Sequence, residues 1–207
     1  MNSTSERRNH PVVRFLGLGL GIFAIALWLW MRAFPAYLGM LTATCNGILS
    51  MAGLYGTVEL HPLVVEGKEW IAVYVSSYQQ KQTHLFGFGI EILHTHMPVF
   101  LALALSTRTR MRSRAMAILT GGIAIHLSSV LFTLLTLAWS FLTVPAYAHS
   151  MSMTAPSWVA TGVNTLYYAV HLVLIHLVPV LVWAVSCFTP KELSGLLAEP
   201  ELSRTRR

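Results

Sequence analysis

The stretch FGFGIEILHTHMPVFLALALSTRTRMRSR, residues 86–114, joins a long apolar run to arginines at 108, 110, 112 and 114. A run of about twenty apolar residues is what a helix needs to cross the hydrocarbon core, and arginines packed into a short loop mark the cytoplasmic side. A span over 86–105 is therefore expected to run inward. The next apolar run, 115–139, returns outward and ends at Trp139, an aromatic suited to the membrane interface. An uncharged outer loop, 144–163, holds Pro145, Pro156 and Trp158. A further span over 164–187 brings the chain back in, where Lys191, Arg204, Arg206 and Arg207 keep the tail. Toward the N-terminus, a span over 12–31 follows Arg7 and Arg8 and ends with Trp28 and Trp30. All four segments agree on one orientation, with both termini in the cytoplasm.

Composition supports the same solvent. Of 207 residues, 55% are hydrophobic and 11% charged, against about 25% charged in soluble domains, and mean hydropathy is +0.60. The net charge of +6 comes from arginines beside apolar segments, which reads as cytoplasmic anchoring rather than nucleic-acid binding. Arg7 and Arg8 resemble the start of a signal peptide. The apolar run behind them is long enough to span and Arg32 follows it without a small-x-small cleavage site, so an uncleaved anchor is expected. Cys45 and Cys187 fall on opposite sides of the membrane in this topology, which rules out a disulfide between them.

Residues 33–85 form an outer insertion. Thr42, Thr44, Asn46, Gly47 and Ser50 interrupt 34–55, and a crossing there would place either the N-terminal arginines or the later arginine loop outside. An amphipathic helix or re-entrant element on the outer surface is expected instead. Val58, Leu60, Leu63, Val64 and Val65, then Glu66-Gly67, then Trp70, Ile71, Val73, Tyr74 and Val75 read as a β-hairpin. A polar bridge over 79–84 leads back to the membrane. The expectation is an all-α integral membrane fold of one domain, 1–207. It has four transmembrane helices, an outer amphipathic helix and a small β-hairpin insertion.

Ionisable residues inside spans are rare and default to function. Glu91, His94 and His96 fall in the second span, His126 in the third, and His171 and His176 in the fourth. Helical rise puts His94, His126 and His176 at a similar mid-membrane depth, and Glu91 shares a helix face with His94 at i, i+3. Pro98 and Pro179 free the carbonyls of His94 and Ile175 and open polar pockets beside the histidines. Glu91, His94, His126 and His176 are thus candidate ligands for a transition metal or a haem with a redox role. The competing reading is interhelical hydrogen bonding to Ser128, Ser129, Thr95, Thr133, Tyr167 or Tyr168. No span carries histidines at i, i+4. Cys45, in Thr-Cys-Asn-Gly, is a candidate nucleophile for a membrane peptidase or transpeptidase, set against a buried cysteine that only packs. There is no Gly-x-Ser-x-Gly, His-Glu-x-x-His, Walker or Gly-x-Gly-x-x-Gly sequence, which excludes the common hydrolase, ATPase and dehydrogenase designs.

An anchor helix, an outer segment with a hairpin, and then Phe-Gly-Phe-Gly-Ile-Glu-Ile-Leu-His-Thr-His-Met-Pro-Val-Phe before an arginine loop resembles the exosortase H-associated membrane proteins. Leu-Val-Pro-Val-Leu-Val-Trp, 177–183, resembles them too. The resemblance implies a non-catalytic accessory of the bacterial inner membrane whose partner is another integral membrane protein, an exosortase. Cys45-Asn46-Gly47 is similar to the Cys-x-Gly box of exosortases themselves. Those enzymes also use a later outward-facing arginine and histidine, whereas every arginine here after Arg32 lies on the inner side of this topology. The expected contact surfaces are the hairpin, through Ile71 and Val73, and the uncharged outer loop.

Overall fold

The computed structural model describes residues 10–51, 56–65, 68–77, 82–89, 91–107, 111–143, 156–171 and 175–188. Five helices and a small antiparallel sheet make up these segments. They are α1 (His10–Met51), β1 (Gly56–Val65), β2 (Lys68–Ser77), β3 (Gln82–Gly89), α2 (Glu91–Ser106), α3 (Met111–Thr143), α4 (Ser157–Ala169) and α5 (Ile175–Cys187).

The first correction concerns α1. The anchor at 12–31 and the outer element at 34–55 were expected as separate pieces, yet α1 is one helix of 42 residues, about 63 Å long. Arg32 and Pro35 look like terminators but do not end it. The Arg32 guanidinium lies 5.5 Å over the Trp28 ring, and Pro35 is exposed. Continuing the helix lines up Phe34, Tyr37, Leu38, Leu41 and Cys45 on one buried stripe.

That stripe is covered by the sheet. Its order is β1-β2-β3, so the expected hairpin gains a third strand. Residues 86–89, expected to begin the second span, belong to β3, where Phe86 pairs with Val73 and Phe88 with Ile71. Val58, Leu60, Ile71 and Val73 are buried in one cluster with the α1 stripe, Leu93, Val130 and Phe132. Ile71 and Val73 are therefore core residues, not the contact surface expected of them. The Asn46 amide fixes the sheet to the helix: its Nδ2 donates to the Val58 carbonyl at 2.9 Å, and its Oδ1 accepts from the Val58 N–H at 2.7 Å.

The helices pack with an inverted polarity. Met116, Leu119, Ile123, Leu127 and Leu131 form an exposed apolar stripe on α3, while Ser129, Thr133, Thr136 and Ser140 are buried. Each of these buried hydroxyls donates to the carbonyl four residues back, which satisfies it within its own helix. Small residues set the approach: the Phe100 ring lies directly on Gly121, leaving no room for a β-carbon, and Gly19 faces Ser106. Beyond α2, the Trp183 indole donates to the Thr107 hydroxyl at 2.9 Å and Arg114 to the Thr107 carbonyl at 3.0 Å. The N-terminal part of α1, the end of α2, the start of α3 and the end of α5 thus share one side of the bundle.

Among the described residues, two helices are long and apolar enough to cross a membrane, over Leu16–Met51 and Arg114–Thr143; Leu93–Ser106 and His176–Cys187 are apolar but shorter. Within the expected fourth span, 164–187, α4 runs on to Ala169 with a π-helical turn at Val170 and His171, and α5 is described from Ile175, residues 172–174 lying outside the described residues. Pro179, inside α5, cannot donate to the Ile175 carbonyl, which weakens helical continuity at that point. The arginines at 108 and 110 and the outer loop over 144–155 lie outside the described residues.

Candidate functional site

Three helices bring polar and aromatic side chains together beside the sheet. Trp30, Phe34 and Tyr37 stand on successive turns of α1, with Trp30 and Tyr37 ring centroids 4.8 Å apart. The Trp30 indole donates to the Leu93 carbonyl of α2 at 3.2 Å. His94, one residue on, sets its ring against the Phe34 ring with centroids 4.0 Å apart and planes at 85°. Across from it, His126 of α3 meets Tyr37 edge-on at 5.8 Å. Both histidines therefore pack against neighbouring rings of one α1 face, an arrangement that favours the positive edge of one ring at the negative face of the next.

The Thr44 hydroxyl oxygen lies 2.9 Å from the Met40 carbonyl and 3.2 Å from His126 Nε2, which engages one of the two ring nitrogens. Nδ1 is buried without a hydrogen-bond partner among the described residues. Chemically, that nitrogen can accept a proton or donate one lone pair to a metal.

The other candidates lie elsewhere. Glu91 opens α2 with its side chain outside the described residues, and His176 is exposed on α5. His96, 4% exposed, leaves α2 about 200° round from His94. Among the described residues no group of three or more histidine, cysteine or acidic side chains is placed to hold a metal ion. Of the three candidate ligands whose side chains are described, the structure brings His94 and His126 to a common patch and leaves His176 exposed apart from it. Cys45 has no exposed surface and sits among apolar side chains of the sheet–helix core, out of reach of an external substrate. Both cysteines are free.

His171 belongs to a second arrangement. Trp139 stacks on Tyr167 at 4.4 Å, Tyr167 on His171 at 5.5 Å, and His171 on Phe132 at 6.0 Å. Trp139 also donates to the Asn164 side chain at 2.8 Å. This ladder holds α4 to α3. Phe34, Tyr37, Thr44 and Asn46 were not read from sequence as site residues. Their signal was the i, i+3/i+4 spacing that continues through Arg32 and Pro35. Comparison with known proteins finds no matching family model, no matching curated protein and no matching solved structure.

Proposed function

We propose that this chain is a non-catalytic, four-span accessory protein of the bacterial inner membrane, with both termini in the cytoplasm. In this reading α1, α2, α3 and the α4–α5 pair cross the bilayer, and the far half of α1 carries the sheet outside. One observation carries the reading: the sheet is clamped to α1 by Asn46 and by its buried face, so its opposite face is presented in a fixed pose to a neighbouring membrane protein. Glu59 and His61, exposed on that face and 3.3 Å apart, are two polar contacts it offers. The resemblance of the chain to exosortase H-associated proteins makes an exosortase the partner of first choice, in envelope protein sorting.

The test is capture of the partner from intact membranes. Glu59→Arg with His61→Glu should abolish co-purification while leaving insertion intact; undiminished co-purification would remove this face from the proposal.

A second reading keeps one observation in its favour, the buried His126 Nδ1, without a hydrogen-bond partner among the described residues, close to the ring patch that also receives His94. A metal or haem held there would be lost from a His94→Ala, His126→Ala variant. An absorption spectrum with elemental analysis of detergent-purified protein, beside that variant, separates the two readings.

A further inference from the structure

The chain passes Asn46, ends α1 at Met51, and comes back to Asn46 at Val58. β1 therefore runs back along α1. From Val58 to Val65 it covers about 23 Å, and from Asn46 down to Arg32 the helix covers about 21 Å. The closed end of the β1–β2 hairpin thus lies at the height of Arg32. A second contact agrees: Trp70 pairs with Gly89, shortly before α2 begins, and the Leu93 carbonyl of α2 receives the Trp30 indole.

At this height α1 exposes Trp28, Leu29 and Met31 in one apolar band, with Arg32 lying over Trp28. The hairpin exposes Leu63, Val64 and Trp70 at its own end, with Val64 66% exposed. Tryptophan and arginine beside aliphatic side chains are the composition of a membrane interface. We infer that the β1–β2 hairpin tip dips into the outer-leaflet interface and that lipid is the partner of Leu63, Val64 and Trp70. The apolar band of α1 and the hairpin tip then form one continuous lipid-facing surface. The sheet is held from both ends, by Asn46 above and by the bilayer below. This inference rests on the membrane-crossing orientation proposed above.

The experiment uses the full chain in a Cys187→Ser background, with an environment-sensitive fluorophore on Val64→Cys. Leu63→Cys is the second tip position, Glu59→Cys the aqueous control and Ile25→Cys the membrane control. Proteins are placed in vesicles of phosphatidylethanolamine and phosphatidylglycerol carrying a phospholipid with a spin label near its headgroup or deep in its acyl chain. Val64 and Leu63 should emit at shorter wavelength than Glu59 and lose more than half their emission to the shallow quencher, while Ile25 responds more to the deep one. Quenching at Ile25 with none at Val64 and Leu63 would overturn the lipid contact and leave the orientation standing. A blue-shifted but unquenched tip would also overturn it, in favour of a protein neighbour. No quenching at any position would overturn both readings.

Discussion

The two halves of α1 differ in what surrounds them although the helix between them is unbroken. Through residue 31 it exposes Leu16, Leu18, Leu20, Ile25, Trp28, Leu29 and Met31. Beyond Arg32, Phe34, Tyr37, Leu38 and Leu41 turn inward, all at or below 7% exposure, and apart from Pro35, Met40 and Met51 the outward positions are small: Ala33, Ala36, Gly39, Ala43, Gly47 and Ser50. One half carries an outward apolar surface of the kind a bilayer accepts; the other carries the one-sided apolar stripe of a helix that covers a core. Helix geometry is shared, and the side-chain pattern alone changes the environment.

This contrast can be broken by paired truncations. Leu41→Ala should cost about 2–5 kcal/mol, because it empties a fully buried site, whereas Leu20→Ala should stay within about 0.5 kcal/mol. Unfolding in mild detergent measures both, and equal losses would end the distinction between the halves. Asn46→Ala comes next. Losing both Val58 hydrogen bonds should cost about 1–3 kcal/mol and expose the sheet to protease while the helices stay resistant; simultaneous digestion of both would show that the sheet is not a separately held unit. On the bundle side, Gly121→Ala drives a methyl into the Phe100 ring and should cost about 1–3 kcal/mol. Gly122→Ala, with only Met97 at 3.9 Å, should be near neutral by the same assay. The smallest effect belongs to the Thr44–His126 contact between the far half of α1 and α3. A double-mutant cycle with Thr44→Val and His126→Phe should return about 0.5–1.5 kcal/mol, the net worth of a single hydrogen bond; a value near zero would reduce the contact to packing.

Sequence reading reached the apolar helices and the pairing of the strands on either side of Glu66-Gly67, because hydrophobic length and turn chemistry act locally. It missed the continuity of α1, since a charged residue and a proline are the usual marks of a helix end, and what neutralises them is a ring one turn back and an open surface. β3 was hidden for a different reason: a short apolar run such as 86–89 does not reveal its period. From sequence Ile71 and Val73 read as a contact surface, whereas both are fully buried; an apolar strand residue does not itself say whether its face is covered by its own chain or by a partner. The His94–His126 patch escaped because its organisers, Phe34, Tyr37 and Thr44, lie on the segment that was detached from its helix.

The unbroken course of α1 has a mechanical consequence. Its helical path runs from His10 to Met51 past Pro35, which has no N–H to donate to the Met31 carbonyl. The place where the exposed apolar surface gives way to the buried stripe is therefore also where the helix bends most readily. The sheet, fixed to Asn46 beyond that point, takes its stance from the bend.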